Sequence, residues 1–171
     1  IIYIIYKNIL NKLRMIDENG YRKNVGIIIC NTNNKLLICR RNRENSWQFP
    51  QGGFESDENS ENAMYRELYE EIGLKHNDVE ILGKTKDWLK YDLPKKYQRK
   101  TNNQLCIGQK QIWFLLRLIS SDSKINLLSS EKPEFDSWKW VDKTEPLNVV
   151  IGFKKNVYLE AINQLMPIIE S

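Results

Sequence analysis

Short apolar runs alternate with polar breaks along this chain, and the pattern predicts a mixed α/β fold. Two runs rich in aliphatic and β-branched residues, 25–30 and 35–39, are separated by four polar residues and predict a hairpin. Segments 79–91, 109–118 and 137–141 alternate between apolar and polar positions well enough to predict strands. Together these segments predict the strands of a sheet.

Helical spacing replaces the alternation in two further segments. Residues 59–72 repeat apolar side chains at helical intervals and are followed by Gly73, a residue type that ends helices. The chain from 153 to 169 has the same spacing. Residues 47–50 predict a short extended piece that ends in a turn at 51–53. The prediction is a mixed β-sheet sandwiched between helices, an α/β/α arrangement.

Length and composition favour one globular domain without a membrane span. The 171 residues fit a single domain, and 41% hydrophobic residues allow a packed core. No apolar run approaches the ~18–20 residues that a membrane span needs. Three widely spaced cysteines argue against a disulfide framework and for a reducing compartment, so we expect a cytoplasmic protein. The net charge of +4 favours an anionic partner.

The first fourteen residues differ in character from the rest of the chain. They are apolar before they are basic, which reverses the order found in a secretory signal peptide. An amphipathic helix that touches a membrane is one interpretation of them. We favour an appended or upstream-translated piece, because Ile1 is not an ordinary translation start, whereas a methionine follows at position 15. We therefore expect a domain at 15–171 and an extension at 1–14 outside it.

The helix predicted at 59–72 gathers three carboxylates on one face. On an ideal helix Glu67, Glu70 and Glu71 lie together, opposite the apolar arc around Met64. Neighbouring like charges repel by a few tenths of a kcal/mol per pair, and no Lys or Arg occupies these positions to relieve the repulsion. The cluster is either a solvated acidic face or a site for a hard divalent cation such as Mg²⁺.

The wider spacing favours the metal site. The pattern is Gly, five residues, Glu, seven residues, then Arg-Glu-aliphatic-any-Glu-Glu-any-Gly-aliphatic. The residues that match it are Gly52, Glu58, Arg66, Glu67, Leu68, Glu70, Glu71, Gly73 and Leu74. Chance produces such a match on the order of once in 10⁹ starting points. The sequence therefore resembles the Nudix hydrolases, which implies the Nudix fold and cleavage of a nucleoside diphosphate linked to another group.

The resemblance implies roles for the members of this box. The metal ligands that it implies inside the box are Gly52, Glu67, Glu70 and Glu71. The structural members are Gly52, Glu58, Arg66 and Gly73, and Arg66 is expected to reach Glu58 and join the loop to the helix. The implied cofactor is Mg²⁺ or Mn²⁺, with more than one ion expected. An ion that bridges phosphate oxygens neutralises charge and activates a water for in-line attack.

Segments outside the box narrow the resemblance. They are SWQFPQGG (46–53), DWLKYDLP (87–94), IGQKQIWFLL (107–116), PEFDSWKWV (133–141) and VVIGFKK (149–155). They resemble the bacterial RNA 5′-pyrophosphohydrolases, a subfamily also described as dinucleoside polyphosphate hydrolases, across nearly all of residues 15–170. The implied reaction converts a 5′-triphosphate RNA end to a monophosphate, releases pyrophosphate and triggers mRNA decay. The implied partner is 5′-triphosphorylated RNA with an unpaired 5′ end.

The subfamily resemblance also assigns residues outside the box. Glu134 is expected to be a metal ligand or the general base, with Glu67 as the competing base, although a lone loop glutamate is ordinarily a surface residue. Arg41 and Phe153 are expected to sandwich a nucleobase, as unpaired bases are usually held, with Lys154 beside it. Without the resemblance, Arg41 would be interpreted as a solvated cation and Phe153 as a core aromatic.

Two more residues and one segment have two interpretations each. Arg22 is expected near the phosphates, with a surface role as the alternative. Tyr91 follows the box by a spacing associated with dinucleoside polyphosphate hydrolases, or it is an ordinary strand aromatic. Residues 84–100 interleave basic and aromatic side chains, which suits an RNA backbone with stacked bases but also a solvated face.

The sequence is therefore consistent with three functions. The leading one is RNA 5′-pyrophosphohydrolase, and the alternative is a hydrolase of dinucleoside polyphosphates. The box does not separate them, because both substrates offer a phosphate chain next to a nucleoside. A third interpretation is an RNA-binding module that kept the fold and lost catalysis. The presence of all three box glutamates and of Glu134 argues against it.

Overall fold

Ten strands and four α-helices are found in the part of the chain that the computed structural model describes, residues 16–101 and 103–170. The strands are β1 (Tyr21–Cys30), β2 (Leu36–Arg41), β3 (Trp47–Gln48), β4 (Gln51–Gly53), β5 (Val79–Lys84), β6 (Leu89–Asp92), β7 (Arg99–Thr101), β8 (Gln104–Cys106), β9 (Gly108–Leu118) and β10 (Phe135–Val141). The helices are α1 (Ser60–Ile72), α2 (Glu145–Val149), α3 (Lys155–Leu165) and α4 (Pro167–Glu170). The extension predicted at 1–14 lies outside the described residues.

Eight of the strands form one mixed sheet. Its main order is β10-β2-β1-β9-β5, while β3 pairs with β2, β4 with β1 and β6 with β9. The central pair, β1 and β9, runs parallel from Tyr21 opposite Gly108 to Cys30 opposite Arg117. The remaining pairs of this sheet are antiparallel. Strands β7 and β8 form a separate hairpin.

The strand period of two sends alternate side chains to the two faces of the sheet, and each face has its own core. Ile27 and Ile29 of β1 pack in a core with the apolar side of α1. Ile28 and Cys30 pack in a second core with the apolar side of α3. The predicted sheet between helices is therefore confirmed. No helix among the described residues is both long and apolar enough to cross a membrane.

Helix α1 begins and ends where its sequence predicts. The side chain of Asn59 accepts a hydrogen bond from the amide of Asn62, which satisfies one of the free N–H groups of the first turn. Gly73 follows the last turn with φ of 72°, a left-handed conformation in which its amide donates to the carbonyl of Tyr69. A glycine is favoured there because other residue types resist positive φ.

One turn prediction and one strand prediction were wrong in detail. The turn predicted at 51–53 is the strand β4, which pairs with β1 through Val25 opposite Gly52. The single strand predicted at 79–91 is divided into β5 and β6, which both pair with β9. The division occurs at buried Thr85, whose hydroxyl accepts from the amide of Trp113 in place of a strand carbonyl.

The helix predicted at 153–169 is also divided. Residues Gly152–Lys154 form a 3₁₀ turn, α3 follows, and α4 begins after Met166. Pro167 accounts for the second break, because proline has no N–H to continue the helical hydrogen bonds and clashes with the preceding turn. The first break matters for function, since the 3₁₀ turn carries two predicted substrate-binding residues.

Candidate active site

Strand β4 brings the backbone of Gly52 onto the side chain of Glu67 in α1. A Cβ atom at Gly52 would lie 1.8 Å from the carboxyl carbon of Glu67, so no larger residue fits without moving the glutamate. Glu67 is only 12% exposed at this contact. The glycine of the box therefore leaves room for the Glu67 carboxylate at a close approach between the strand and the helix, and its backbone conformation is not unusual.

Arg66 ties the loop before the helix to the helix itself. Its Nε and Nη2 donate to the two carboxylate oxygens of Glu58 at 2.7 and 2.9 Å, and Nη2 also donates to the carbonyl of Gly53 at 2.8 Å. Its Nη1 donates to Glu67 at 2.7 Å and to Glu70 at 3.3 Å. Burial lowers the pKa of Arg66, but the hydrogen bonds to Glu58 and Glu67 outweigh it and raise that pKa. The guanidinium is therefore permanently charged.

Glu71 is buried, although the helical projection places it on the face opposite the apolar arc. Only 5% of the residue is exposed, because β4 covers this side of the helix. The amide of Gln51 donates to Glu71 Oε2 at 2.9 Å, while Oε1 is buried without a hydrogen-bond partner. Burial, with the nearby carboxylates of Glu134 and Glu67, raises the pKa of Glu71 well above its usual range.

Glu70 stands apart from the other two box glutamates. Its side chain is 49% exposed and pairs with Arg66 Nη1. No Lys or Arg lies at the three glutamate positions of the helix. The guanidinium of the adjacent Arg66 instead forms ion pairs with both Glu67 and Glu70. Glu70 is therefore the most exposed of the three box glutamates.

Glu134, which is distant from the box in the sequence, also lies near the carboxylates of Glu67 and Glu71. It precedes β10, which pairs with β2, and its carbonyl accepts from the amide of Asn42 at 2.7 Å. Its side chain lies 3.9 Å from Arg41 Nη2 and influences the pKa values of Glu67 and Glu71. Burial, together with this like charge, raises the pKa of Glu67 as well, although Arg66 opposes the rise.

These carboxylates lie at one end of a cavity of about 590 Å³. At this acidic end the cavity wall includes Gly52, Gly53, Glu67 and Glu134. A basic and aromatic end of the wall includes Arg41, Tyr91, Tyr97, Phe153 and Lys154, and it meets the acidic end where Arg41 Nη2 lies 3.9 Å from Glu134. Arg22, Asn24, Gln51 and Gln109 also line it. Eight of the thirteen predicted site residues line the cavity, the exceptions being Glu70, Glu71 and the structural members Glu58, Arg66 and Gly73.

Aromatic rings form one wall of the basic and aromatic end. The ring of Phe153 lies 5.8 Å from that of Tyr91 and 5.7 Å from that of Tyr97, measured between centroids. Tyr91 is only 6% exposed, and its burial raises the pKa of its hydroxyl, so it is neutral in the physiological range. Phe153 is half-buried and presents part of its ring to the cavity.

Lys154 has a side-chain amine that is buried. It is 7% exposed, and its Nζ donates to Gln48 Oε1 at 3.3 Å. Burial lowers the pKa of Lys154 to about 8, and the charge of Arg41 contributes to the fall, against the pull of nearby glutamates. Such an amine gains from an anionic or carbonyl group that enters the cavity.

Several polar atoms between the two ends have no partner within the protein. Arg22 Nε, Gln51 Oε1 and Gln109 Oε1 are all buried without a hydrogen bond, and their residues line the cavity. The guanidinium of Arg22 lies directly against Gly53, where an added Cβ would approach its Nη2 to 2.2 Å. Uncommitted polar groups of this kind are characteristic of a ligand site, since buried polar atoms are ordinarily satisfied.

Part of the cavity wall was not predicted from the sequence. The residues concerned are Asn24, Glu44, Ser46, Gln48, Gln51, Leu93, Tyr97, Gln109 and Ile151. Gln51 and Gln109 lie inside segments that carry the subfamily resemblance, so that resemblance was the one available signal. Asn24 is fixed by buried Gln111, whose amide donates to Asn24 Oδ1 at 2.7 Å, and two polar residues inside strands give no such signal by themselves.

The donor set fits a divalent cation. Among residues 16–101 and 103–170 no three acidic, His or Cys side chains stand in a metal-binding arrangement, and Arg66 holds Glu67 and Glu70. The buried Oε1 of Glu71 nonetheless has no hydrogen-bond partner, and neighbouring carboxylates contribute to the raised pKa values of both Glu67 and Glu71. Carboxylate oxygens are the ligands that hard cations such as Mg²⁺ prefer.

Comparison with known proteins identifies the family. The NUDIX domain family matches residues 20–159, which is most of the chain. The chain therefore belongs to the Nudix family, and the predicted family and fold are confirmed. Nudix hydrolases generally use divalent metal ions, in agreement with the carboxylates at the acidic end of the cavity.

Two relatives narrow the assignment. The chain is 50% identical over 155 residues to an RNA pyrophosphohydrolase of Proteus mirabilis, covering 91% of this chain and 88% of the relative. It is 49% identical over 157 residues to an RNA pyrophosphohydrolase of Escherichia coli O139:H28, covering 92% and 89%. The predicted subfamily of bacterial RNA pyrophosphohydrolases, and with it the prediction of a hydrolytic enzyme, is confirmed.

Solved structures show the same fold at low identity. The dihydroneopterin triphosphate pyrophosphohydrolase of E. coli superposes with a TM-score of 0.67 at 17% identity, covering 87% of this chain and 96% of that one. An Ap4A hydrolase of C. elegans superposes with a TM-score of 0.58 at 15% identity, covering 85% and 97%. At these identities the likeness establishes the Nudix fold alone.

Proposed function

We propose that this protein removes pyrophosphate from the 5′-triphosphate end of RNA and leaves a 5′-monophosphate, a step that triggers mRNA decay. The observation that carries the proposal is the single cavity that joins an acidic end, with Glu67 and Glu134, to a basic and aromatic end with Arg41 and Phe153. A triphosphate next to an unpaired nucleotide has the matching polarity. Relatives with this activity share about half of the sequence.

The acidic end is the place for the chemistry. Glu67, Glu70, Glu71 and Glu134, with Gly52, are the proposed ligands of Mg²⁺ or Mn²⁺, and more than one ion is expected. Such ions neutralise charge on phosphate oxygens and activate a water for attack on phosphorus. Glu71 is held in place by the amide of Gln51, while Arg66 Nη1 donates to Glu67 and Glu70, so a bound cation would share these two carboxylates with Arg66.

Glu67 and Glu134 are the two candidates for the general base. Both line the cavity, whereas Glu71 lies behind the wall. Burial raises the pKa of Glu67 toward the range in which a carboxylate accepts a proton efficiently. Glu134 is 39% exposed and lies 3.9 Å from Arg41 Nη2, so it is more open to solvent than Glu67, which is 12% exposed. We therefore favour Glu67 as the base and Glu134 as a ligand.

The basic and aromatic end is the place for RNA recognition. Arg41 and Phe153 face the same cavity, and an unpaired base inserted between them would gain stacking on both sides. Lys154 would donate to an acceptor on the edge of that base. Arg22, whose Nε has no partner inside the protein, would hold an oxygen of the phosphate chain. These contacts require a single strand, and the proposed compartment is the cytoplasm, where transcripts are found.

A hydrolase of dinucleoside polyphosphates is the second candidate. Tyr91 favours it, because its spacing after the box is associated with dinucleoside polyphosphate hydrolases and the residue lines the cavity beside Phe153. The acidic end would perform the same chemistry on either substrate. The difference therefore lies in what occupies the rest of the cavity.

A paired assay with Mg²⁺ tests the proposal. One reaction contains a short RNA with an unpaired 5′-triphosphate, and the other contains a diadenosine polyphosphate. We expect faster hydrolysis of the RNA, with loss of both activities in Glu71→Gln. Preference for the dinucleotide would move the protein to the second candidate. Inactivity of the wild-type enzyme on both substrates would overturn both assignments and favour an RNA-binding module.

A further inference from the structure

Three lysines form one row across adjacent strands of the sheet. Lys23 of β1 lies opposite Lys110 of β9, and Lys110 lies opposite Lys90 of β6. With ~4.8 Å between neighbouring strands, the row is about 10 Å long. Like charges that lie directly opposite each other destabilise a sheet, so the row is unfavourable without an anionic ligand.

The lysine row lies on the reverse side of the cavity wall. Each of the three lysines adjoins in sequence a residue that lines the main cavity; these residues are Arg22, Tyr91 and Gln109. Successive side chains of a strand point to opposite faces, so the lysines point away from the cavity. Among the described strands β6 pairs with β9 alone, and it carries Tyr91 on the cavity side and Lys90 on the other. An RNA strand that leaves the cavity past β6 therefore reaches the row by passing round a single strand.

Acidic side chains neutralise only part of the lysine row. Lys110 forms an ion pair of 2.6 Å with Asp17. Asp92 accepts a hydrogen bond of 2.6 Å from a tyrosine hydroxyl. Within residues 16–101 and 103–170, neither Lys23 nor Lys90 forms an ion pair. The ammonium groups at both ends of the row are therefore available to a ligand.

Two aromatic rings lie among these lysines. The ammonium groups of Lys110 and Lys23 lie 5.4 and 6.0 Å from the centre of the Trp88 ring. The ammonium group of Lys90 lies 5.1 Å from the centre of the Tyr21 ring. Both aromatic residues are half-buried. Cations beside partly exposed rings suit a single-stranded nucleic acid, because the cations hold phosphates while bases stack on the rings.

We propose that the lysine row binds the phosphate backbone of the RNA downstream of its 5′ end. The inference rests on the proposed function and extends it, because the row lies outside the cavity that holds the 5′ end. The positive charge of the row complements a polyanion, and its place on the reverse side of β6 is continuous with the cavity. The row thus favours long transcripts over free nucleotides and short fragments.

Binding of RNAs of two lengths tests the proposal. A trinucleotide and an unpaired dodecanucleotide, both 5′-triphosphorylated and labelled at the 3′ end, are titrated with the Glu71→Gln protein in Mg²⁺, and fluorescence anisotropy gives their affinities. The trinucleotide fits the cavity, and only the dodecanucleotide is long enough to reach the row. The test variant adds Lys23→Gln and Lys90→Gln to this protein and leaves the ion pair of Lys110 with Asp17 intact.

The matched control removes two positive charges from the other end of the sheet. Its substitutions are Lys75→Gln and Lys124→Gln, both at exposed lysines. Lys75 precedes β5 and Lys124 follows β9, near the end of the sheet where Val79 pairs with Leu118. The two variants have equal net charge, so a difference between them comes from the position of the lysines. The melting temperature of each variant verifies its fold.

We expect Lys23→Gln with Lys90→Gln to weaken binding of the dodecanucleotide about tenfold at ~0.1 M salt, and binding of the trinucleotide less than about twofold. The slope of log Kd against log salt for the dodecanucleotide should fall by about 1.4, which is ~0.7 for each lost phosphate contact. The control variant should bind both RNAs as the Glu71→Gln protein does.

Three results would contradict the proposal or separate it from the proposed function. Equal losses for both RNAs would place the two lysines at the cavity and overturn the proposal. Unchanged affinity for both RNAs would also overturn it and favour an acidic protein as the ligand of the row. Hydrolysis of triphosphorylated RNA without a length effect on binding would refute this inference alone, whereas a length effect that depends on the lysines, without hydrolysis, would refute only the proposed function.

Discussion

The two ends of the cavity are built in different ways. The acidic end comes from one continuous stretch, residues 52–71, to which the fold adds only Glu134. Arg66 and the amide of Gln51 hold its carboxylates with hydrogen bonds of 2.7 to 3.3 Å. The basic and aromatic end is collected from β2, β6 and the 3₁₀ turn at Gly152–Lys154, and it is held by ring packing and the long hydrogen bond of Lys154.

The difference separates chemistry from recognition. A rigid acidic end places charge and metal ligands in the same way for any phosphate chain. An end made of tilted aromatic rings and an arginine held by long ion pairs adapts to the group attached to that chain. Substitutions at the acidic end should therefore lower kcat, and substitutions at the other end should mainly raise KM. Variants at each end can test this division.

The largest effect is expected at Glu71. Glu71→Gln keeps the shape of the side chain and its contact with Gln51 but removes a metal ligand, so kcat on RNA should fall at least about a thousandfold. RNA affinity, measured by fluorescence anisotropy, should change less than about threefold. Comparable losses of kcat and of RNA affinity would contradict the division of chemistry and recognition between the two ends. With EDTA present, the variant should unfold at a higher temperature than wild type, because a crowded buried charge is gone.

The next effect is a pH dependence of stability caused by Lys154. Burial lowers its pKa from 10.5 to about 8, and Arg41 contributes to the fall, while Glu134, Glu71 and Glu44 oppose it. Between these pH values the unfolded chain binds a proton that the folded chain lacks, so the unfolding free energy rises with pH across this window. The full rise is about 3 kcal/mol.

Lys154→Met provides the comparison for this effect. Urea unfolding at pH 7 and pH 10 in EDTA should show the rise in wild type and not in the variant. A parallel pH dependence in both proteins would mean that Lys154 is ionised in the folded state up to its ordinary pKa.

A smaller loss of stability and of kcat is expected when Arg66 no longer links the loop before α1 to the helix. Arg66→Lys keeps the charge but cannot reach both oxygens of Glu58 and the carbonyl of Gly53, so the unfolding free energy should fall by about 2 kcal/mol. Glu58→Gln retains one acceptor for Arg66 and should cost about half as much. Because the loop positions the metal site, kcat should fall in both variants in the same order. An active Arg66→Lys enzyme with wild-type kcat would contradict this coupling.

The smallest effect is expected at Phe153. Phe153→Ala removes one side of the base sandwich and should raise KM for RNA about tenfold with kcat changed less than about twofold. Phe153→Trp keeps an aromatic surface and should restore most of the affinity. A fall in kcat that matches the rise in KM would show that this end takes part in the chemistry as well.

The acidic end was predictable because its members are local. A helix places residues three and four positions apart on one face, so the spacing of the three box glutamates already brings them together. The pairing of Arg66 with Glu58 was expected from the family resemblance, because Glu58 precedes the helix and lies eight positions from Arg66. The burial of Glu71 could not, because a helical projection contains the helix and not the strand β4 that covers it.

The basic and aromatic end was predictable only through resemblance. Arg41, Tyr91 and Phe153 are far apart in the chain, and no local pattern relates one to another. Tyr97 was noticed only as part of a basic and aromatic segment, because its partner Phe153 is distant from it in the sequence. Side-chain positions of this kind depend on how β2, β6 and the 3₁₀ turn are arranged around the sheet.

The sequence by itself determined the alternation that builds the sheet, the caps of α1, the family and the chemistry of the box. These properties depend on residue spacing over at most a few turns of chain, where steric and hydrogen-bonding preferences act directly. The tertiary structure decided which carboxylate is buried, where the cavity ends, and that lysines of three separate strands form one row. Those outcomes depend on packing between distant segments, because the environment of a side chain is set by neighbours that the local sequence does not contain.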